Sequence, residues 1–391
     1  MSRMAISRVA IPRLDWVLFG AAGLILTMGT LLVWSATSSN EVLTQGDSSA
    51  YLHKHLVNIV IGLVLAAAVM ATDHRWVRIV TPLVYVASII GLVLVLVMGT
   101  TINGSRSWLM LGGLSIQPAE FAKLAVVIAM AMIIAERTEN SRRRQVGMVD
   151  VALMGAIAGI PALLIILQPD LGTMLVLSAT VFGVLAVAGV PRRWLVSLFV
   201  GGVSVAALAV SLGLLKQYQI NRFMAFTDPG LDPRGAGYNT TQARIAIGNG
   251  GLFGRGLFDG SQTRSRFVPE QHTDFIFTVA GEELGLIGAG VLILLFAVLL
   301  WRALHISLNA DDMFGRVAAA GIACWFAFQT FQNIGMCLGI MPVTGVPLPL
   351  VSYGGSSMFA SMMALGLLQN IAMRGSAASR SVESRLRPRA R

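Results

Sequence analysis

The sequence predicts an all-α polytopic membrane protein with ten transmembrane helices, and three observations carry that expectation. First, 55% of the 391 residues are hydrophobic and only 12% are charged. Second, apolar runs recur from the N-terminus to about Met373, each near the roughly 20 residues a helix needs to cross the hydrocarbon core. Third, the runs are continuous rather than alternating. Lipid admits only helices and closed barrels, because a spanning backbone must satisfy itself, and continuity selects helices.

Taken in order, the spans fall at about 15–37, 54–72, 77–99, 119–136, 149–167, 171–190, 194–215, 274–300, 314–340 and 350–373. Arg3, Arg8 and Arg13 before the first resemble the basic leader of a signal peptide. The run behind them is long and lacks a clear small-residue cleavage site, so an uncleaved first span is expected. Basic residues then orient the chain. With the N-terminus inside, Arg75, Arg78, Arg137, Arg142 to Arg144, Arg192, Arg193, Arg302 and the tail from Arg374 to Arg391 share one face. The short loops opposite hold little beyond Lys54 and Arg106, which is the positive-inside pattern. Both termini are therefore expected in the cytoplasm. The organisation is a single integral membrane domain over 1–375, followed by a basic cytoplasmic tail over 376–391 that can touch anionic lipid.

Topology thus accounts for most of the net charge of +10. No nucleic-acid partner is expected, because that charge is split among short loops without an aromatic–basic motif. Cys324 and Cys337 lie within the ninth span without metal or redox spacing, and read as buried small apolar residues. No internal repeat supports an inverted-repeat transporter.

Polar residues, glycines, prolines and aromatics gather on the outer face. It carries 101–120, the corner QPDLGT (168–173), the long segment from Lys216 to Thr273, and MPVTGVPLPLVSYGGSS (341–357). A loop of this length is more than a connector, and its Phe, Tyr and Ile content argues against disorder. The chemistry is expected there.

Asp274 stands where that loop enters the eighth span, in RFVPEQHTDFIFTVAGEELG (266–285). An acid at a membrane boundary either faces a polar cavity or caps the helix behind it, and the residues alone leave the two readings even. Glu270 and His272 either orient a substrate and tune Asp274 or simply anchor the loop. Glu282 and Glu283, about two turns deeper, are expected to pair with polar groups elsewhere in the bundle. Glu120 and Lys123, spaced i, i+3, read as an ion pair at the membrane edge that also shapes the cavity. Arg106, beside Trp108, either grips an anionic group with its bidentate fork or anchors the interface. Asp170, after a proline at a tight corner, reads as a helix cap. The glycine-rich GNGGLFGRG (248–256) lacks the strand and the Lys-Ser/Thr of a nucleotide loop. With Arg244 and Arg255 beside it, it reads as lining for a headgroup path. Ser352 and Tyr353, in VSYGGSS (351–357), serve either close helix packing or headgroup contact.

Several of these stretches together resemble the SEDS family (shape, elongation, division and sporulation). They are YQINRFMAFTDPGLDPRGAGYNTTQARIAIGNGGLFGRG, FVPEQHTDFIFTVAGEELG, GVPLPLVSYGGSS, NGSRSWL, QPAEFAKL and QPDLGT, which occur in the family's order from the first span to the last. Within it, GSQTRSRFVPEQHTDFIF is more similar to the rod-shape branch than to the division or sporulation branches. The resemblance implies the SEDS fold, with its large extracytoplasmic loop between spans seven and eight (about 216–273). It also implies a peptidoglycan glycosyltransferase that polymerises lipid II at the outer face of the bacterial cytoplasmic membrane. The implied partners are lipid II, the nascent glycan, a class B penicillin-binding protein and membrane lipid. Asp274 is then implied as catalytic base, and Arg106, Glu120, Lys123, Arg244, Glu270, His272, Ser352 and Tyr353 as substrate-binding residues. The residues establish no cofactor; phosphate and carboxylate oxygens are hard ligands that suit a divalent cation, Mg or Mn, at the pyrophosphate, and no metal motif in the chain requires it. The alternatives are a lipid II flippase, or a scaffold that only recruits the transpeptidase.

Overall fold

The computed structural model describes residues 14–39, 46–102, 105–111, 114–140, 147–213, 217–232 and 235–386. The leader bearing Arg3, Arg8 and Arg13, the Arg142–Arg144 loop and the last residues of the tail lie outside them.

Long helices dominate. The first three are α1 (Trp16–Ser38), α2 (Ala50–Ala71) and α3 (His74–Met98). They are followed by α4 (Pro118–Asn140), α5 (Met148–Leu167), α6 (Leu171–Val187) and α7 (Arg192–Ser211). After the long loop come α12 (Gly285–Leu308), α13 (Met313–Leu338) and α14 (Gly355–Leu386). Four of them start on an aspartate whose carboxylate takes a backbone N–H of the first turn. Asp15 accepts from Leu18, Asp73 from Arg75, Asp170 from Thr173 and Asp312 from Gly315. Such caps satisfy donors that an apolar sequence cannot.

Among the described residues, eight helices are long and apolar enough to cross a membrane: α1, α2, α3, α4, α5, α7, α12 and α14. This is an integral membrane protein. Helix α6, at 17 residues, is shorter, and the 26-residue α13 carries buried Gln329, Gln332 and Asn333. The core sits around α4, α13 and α14: the spanning stretch of α4 is 83% buried, whereas that of α7 has no buried residue. Helix α7 packs loosely beside α6 and faces outward everywhere else. Helix α14 runs on to Leu386, past the domain limit expected at 375.

Two of the segments between the long helices have more structure than a loop. Three short strands form an antiparallel sheet in the order β1 (Thr100–Ile102), β2 (Ser105–Leu111), β3 (Leu114–Ile116). The segment before residue 273 contains α8 (Gln217–Thr227), a 3₁₀ turn (Pro229–Leu231), α9 (Ala236–Gly250) and the single turn α10 (Ser261–Ser265).

The expected eighth span, 274–300, is in fact two helices. Helix α11 (Ile276–Glu283) ends at Leu284, and α12 restarts at Gly285 with a left-handed φ of +67° that favours glycine. The first N–H groups of α12 are taken by the glycine-rich stretch, Leu286 N–H by the Gly251 carbonyl (2.9 Å) and Ile287 N–H by that of Leu252 (3.1 Å). In return Arg255 and Gly256 N–H donate to the carbonyls of Glu282 and Glu283 (both 3.0 Å). Residues 251–256 therefore dock backbone to backbone on the break.

Candidate active site

The chain leading into α11 reverses at Glu270, which adopts a left-handed φ of +52°. The carbonyl of Glu270 accepts from the N–H groups of Thr273 (3.2 Å), Asp274 (3.1 Å) and Phe275 (3.2 Å). This tight turn lays Glu270, Thr273 and Asp274 along a cavity of about 280 Å³. Sheet strand β2 supplies Ser105, Ser107 and Trp108 to its wall, and the heads of α4 and α6 supply Gln117 and Asp170. Arg222 enters from α8, Thr344, Gly345, Pro347 and Tyr353 from the 339–354 loop, and Ser356 and Ser357 from the start of α14.

Asp274 is not a helix cap. The N-cap position of α11 belongs to Phe275, and α11 has no side-chain cap. The half-buried carboxyl group faces the cavity instead. Burial first, and the neighbouring Glu270 second, push it up to about 7, against the pull of the Arg222 guanidinium; Asp170 adds a smaller upward push. The gap around it is narrow. Gly345 has a left-handed φ of +71°, and a Cβ there would stand 3.2 Å from Asp274 Oδ2 and 4.0 Å from an Arg222 nitrogen. Arg222 also donates to the Thr344 carbonyl at 3.4 Å. A raised acid, an arginine and a glycine-lined gap thus meet at one point.

The other expected residues divide. Glu270 and Tyr353 line the cavity with Asp274. His272 stands behind Tyr353, its ring 5.8 Å from that ring and 5.5 Å edge-on from Tyr51, and its carbonyl takes the Tyr353 N–H at 2.9 Å. Burial holds its imidazole below the usual range, against the upward pull of Glu270. Ser352 is buried and its hydroxyl accepts the Leu348 N–H (2.8 Å), which makes it part of the loop's own turn.

Glu120 and Lys123 form the expected pair at 2.7 Å, but beneath the cavity rather than in its wall. Lys123 also donates to Gln329 Oε1 (2.8 Å), and Gln329 Nε2 donates to the Pro347 carbonyl (2.8 Å). The pair therefore shapes the cavity from behind. Arg106 and Arg244 lie outside the lining. Arg106 spends its guanidinium on the open end of α3, donating to the carbonyls of Gly99 (2.7 Å) and Val97 (2.8 Å). Arg244 is exposed on α9, its aliphatic stem beside Gly339. Asp170 is the cap that was expected, accepting the N–H (3.0 Å) and hydroxyl (2.8 Å) of Thr173, and its other contact is Gln117 Nε2 at 3.1 Å. Sequence reasoning missed Arg222 as the cation of the site. It lies within YQINRF, but the loop holds several arginines and nothing local distinguishes this one.

Among the described residues, no group of three or more His, Cys, Asp or Glu side chains is arranged to hold a metal ion. The carboxylates on the cavity wall fit only a cation that takes most of its ligands from a bound phosphate.

Known proteins are similar to this chain over most of its length. The family model of the FtsW, RodA and SpoVE cell cycle proteins matches residues 15–377. Stage V sporulation protein E of Bacillus subtilis is 39% identical over 352 residues, 89% of this chain and 94% of that protein. The peptidoglycan glycosyltransferase MrdB of Escherichia coli is 37% identical over 363 residues, covering 92% and 93%. Among solved structures, a chain from a peptidoglycan synthase complex that coordinates polymerization and crosslinking has a TM-score of 0.77 at 33% identity, covering 93% of this chain and 98% of that one. The rod shape determining protein RodA of Thermus thermophilus has a TM-score of 0.67 at 32% identity, covering 92% and 96%. From the first capped helix to the last, over nearly its whole length, this chain belongs to the FtsW/RodA/SpoVE (SEDS) family of integral membrane proteins.

Proposed function

We propose that this protein is a peptidoglycan glycosyltransferase that polymerises lipid II for cell elongation and rod shape. The observation that carries the mechanism is the juxtaposition of Asp274 and Arg222 across the Gly345 gap. In the proposed step, the sugar 4-hydroxyl of incoming lipid II attacks the anomeric carbon of the growing chain. Asp274 takes the hydroxyl proton as the new C–O bond forms. The old C–O bond breaks toward undecaprenyl pyrophosphate, and an α-linked donor becomes a β-linked product by direct displacement. Pyrophosphate is a good leaving group and needs its charge stabilised rather than a second carboxylic acid. Arg222 is the side chain placed to supply that charge. A carboxylate whose ordinary acidity has been weakened to about 7 is well matched to proton abstraction near neutral pH.

Topology belongs to the same reading. Counting α6 and α13 with the eight apolar helices gives ten spans, with both termini in the cytoplasm and the cavity outside. A reporter active only outside the cytoplasm, fused after Thr263, is expected to give signal, and one fused after Arg144 is not; the reverse would overturn the placement. A class B penicillin-binding protein is the proposed partner, supported by the likeness to a chain of a peptidoglycan synthase complex. The rod-shape role is supported by the likeness to RodA. If a divalent cation accompanies the substrate pyrophosphate, the exposed Glu270 carboxylate is the side chain that would hold it.

The deciding experiment is reconstitution of purified protein in liposomes with labelled lipid II. Glycan strands on a gel are expected. Label crossing the bilayer without polymer would identify a flippase, and neither outcome would identify a scaffold.

A further inference from the structure

Helix α13 carries three buried amides on the face that meets the 339–354 loop. Gln329 holds the Pro347 carbonyl (2.8 Å), and Gln332 donates to the Pro342 carbonyl and the Thr344 hydroxyl (both 3.0 Å). Asn333 does something different. Its single NH₂ group donates to two separate segments, the carbonyl of Asp274 (2.7 Å) and the carbonyl of Val346 (2.7 Å). Those segments form facing edges of the cavity, with Thr273 and Asp274 on one side and Thr344, Gly345 and Pro347 on the other. Asn333 itself is fully buried and does not line the cavity. We infer that Asn333 is a positioning residue, a clamp that holds the backbone of Asp274 against the Gly345 loop and so sets the gap shared by Asp274, Gly345 and Arg222. This rests on the reading of Asp274 as the base and extends it to the frame that aims it.

The chemistry of the amide supports a clamp rather than packing. Two carbonyl neighbours fix the amide's orientation, because only its NH₂ end can donate to both. Both bonds are at the short end of the N–H···O range. Its Oδ1 is buried with no partner, an arrangement with a free-energy cost that leucine, with the same branching and heavy-atom count, would not incur. The amide's use therefore lies in its two donors.

The titratable and charged groups facing Asp274 come from four elements: Glu270 on its own turn, Arg222 on α8, Asp170 at the head of α6 and Cys337 on α13. Without the clamp, the 273–274 turn and the 344–347 loop can part and admit water to the carboxyl group. Hydration favours the charged form, so ionisation should move to lower pH.

Two variants test this in the purified full-length protein. Asn333→Leu keeps the branching and heavy-atom count and removes both donors. Asn333→Ser keeps one donor at smaller packing cost, and carries the test if the leucine variant does not fold. In lipid II polymerisation, kcat is expected to fall about tenfold or more while KM stays within about threefold, as for a misaimed group. A second readout needs no turnover. Diazo reagents esterify protonated carboxyls, so labelling of Asp274 against pH, read by mass spectrometry, gives its ionisation midpoint. That midpoint is expected to fall by about half a pH unit or more. Asn370→Leu is the comparison. Asn370 donates to the carbonyls of Val69 (3.2 Å), Met70 (2.9 Å) and Thr72 (2.7 Å), away from the cavity. Its loss should lower thermal stability and leave both kcat and midpoint in place. An unchanged or raised midpoint in the folded Asn333 variants overturns the clamp, and so does a lowered midpoint with unchanged kcat. A lowered midpoint in a protein whose wild type makes no glycan would leave the clamp standing and sink the glycosyltransferase reading instead.

Discussion

Asp274 and Glu282 lie eight residues apart at the two ends of one apolar stretch, and the protein treats them in opposite ways. Glu282 is fully buried, and its carboxylate collects the N–H groups of Gln262 and Thr263, the Thr263 hydroxyl (all 2.8 Å) and Asn249 Nδ2 (3.1 Å). Its lone pairs are filled by the turn it organises. Asp274 caps no helix and opens on a cavity shared with an arginine. Two acids on one apolar stretch thus become a strut and a group left open to the cavity. What separates them is whether the protein's own donors satisfy the charge. Glu120 belongs with Glu282: Lys123 neutralises it in the core, and Gln329 relays that arrangement to the loop over the cavity.

Four experiments sharpen this division, from the largest expected effect to the smallest. Asp274→Asn preserves shape and removes the proton acceptor. Polymerisation by the purified variant should fall ~10²–10⁴-fold with normal expression, the range for a positioned general base. A near wild-type rate on a glycan gel would move Asp274 to the structural class. Lys123→Met strands the buried Glu120 carboxylate, a change that typically costs about 3–5 kcal/mol. Membrane abundance and the midpoint of thermal unfolding should both drop, and wild-type values in both would sink the pair's role. Glu282→Gln keeps volume but weakens charge-assisted bonds to two N–H groups and a hydroxyl, at about 1–3 kcal/mol. Here stability should suffer while the rate per folded molecule survives; a loss of rate at unchanged stability would make Glu282 a reagent after all.

The fourth concerns pH. Asp274 must be ionised to accept a proton, and its folded-state acidity is weakened to about 7. Activity should therefore rise with pH through that region and fall by about tenfold per unit well below it. The residual rate of Asp274→Asn should be flat over the same interval. A wild-type profile that is flat from pH 6 to 8 would remove Asp274's titration from the rate.

Much of the fold was legible because lipid imposes a length and a composition that any span must meet. The spans at 15–37, 77–99 and 149–167 lie within a residue or two of α1, α3 and α5 at most of their ends. The eighth was misread because 274–300 is apolar on both sides of Leu284. The break is made by the carbonyls of Gly251 and Leu252, some thirty residues earlier, and no local pattern reports that. The site divides the same way. Asp274, Glu270 and Tyr353 announced themselves as polar groups at span mouths. Arg222 did not, and Arg106 was left between a ligand group and an interface anchor while the end of α3 engages it, since a cation's sequence neighbours do not reveal which carbonyls it will meet. Asn333 was hidden by being one of several amides in an otherwise apolar span.

Helix α7 has no buried residue along its twenty, and that places it under a different kind of constraint from its neighbours. Along most of α4 and α13 a side chain must fit a partner of fixed shape. In α7 the partner is fluid, and acyl chains reshape themselves around whatever apolar group they meet. Its requirements are therefore collective: enough length, enough hydropathy, and basic residues at the end where Arg192 and Arg193 stand. Its residues can be exchanged among themselves at little cost, so this is the segment where the sequence is freest to drift while the rest of the protein stands still.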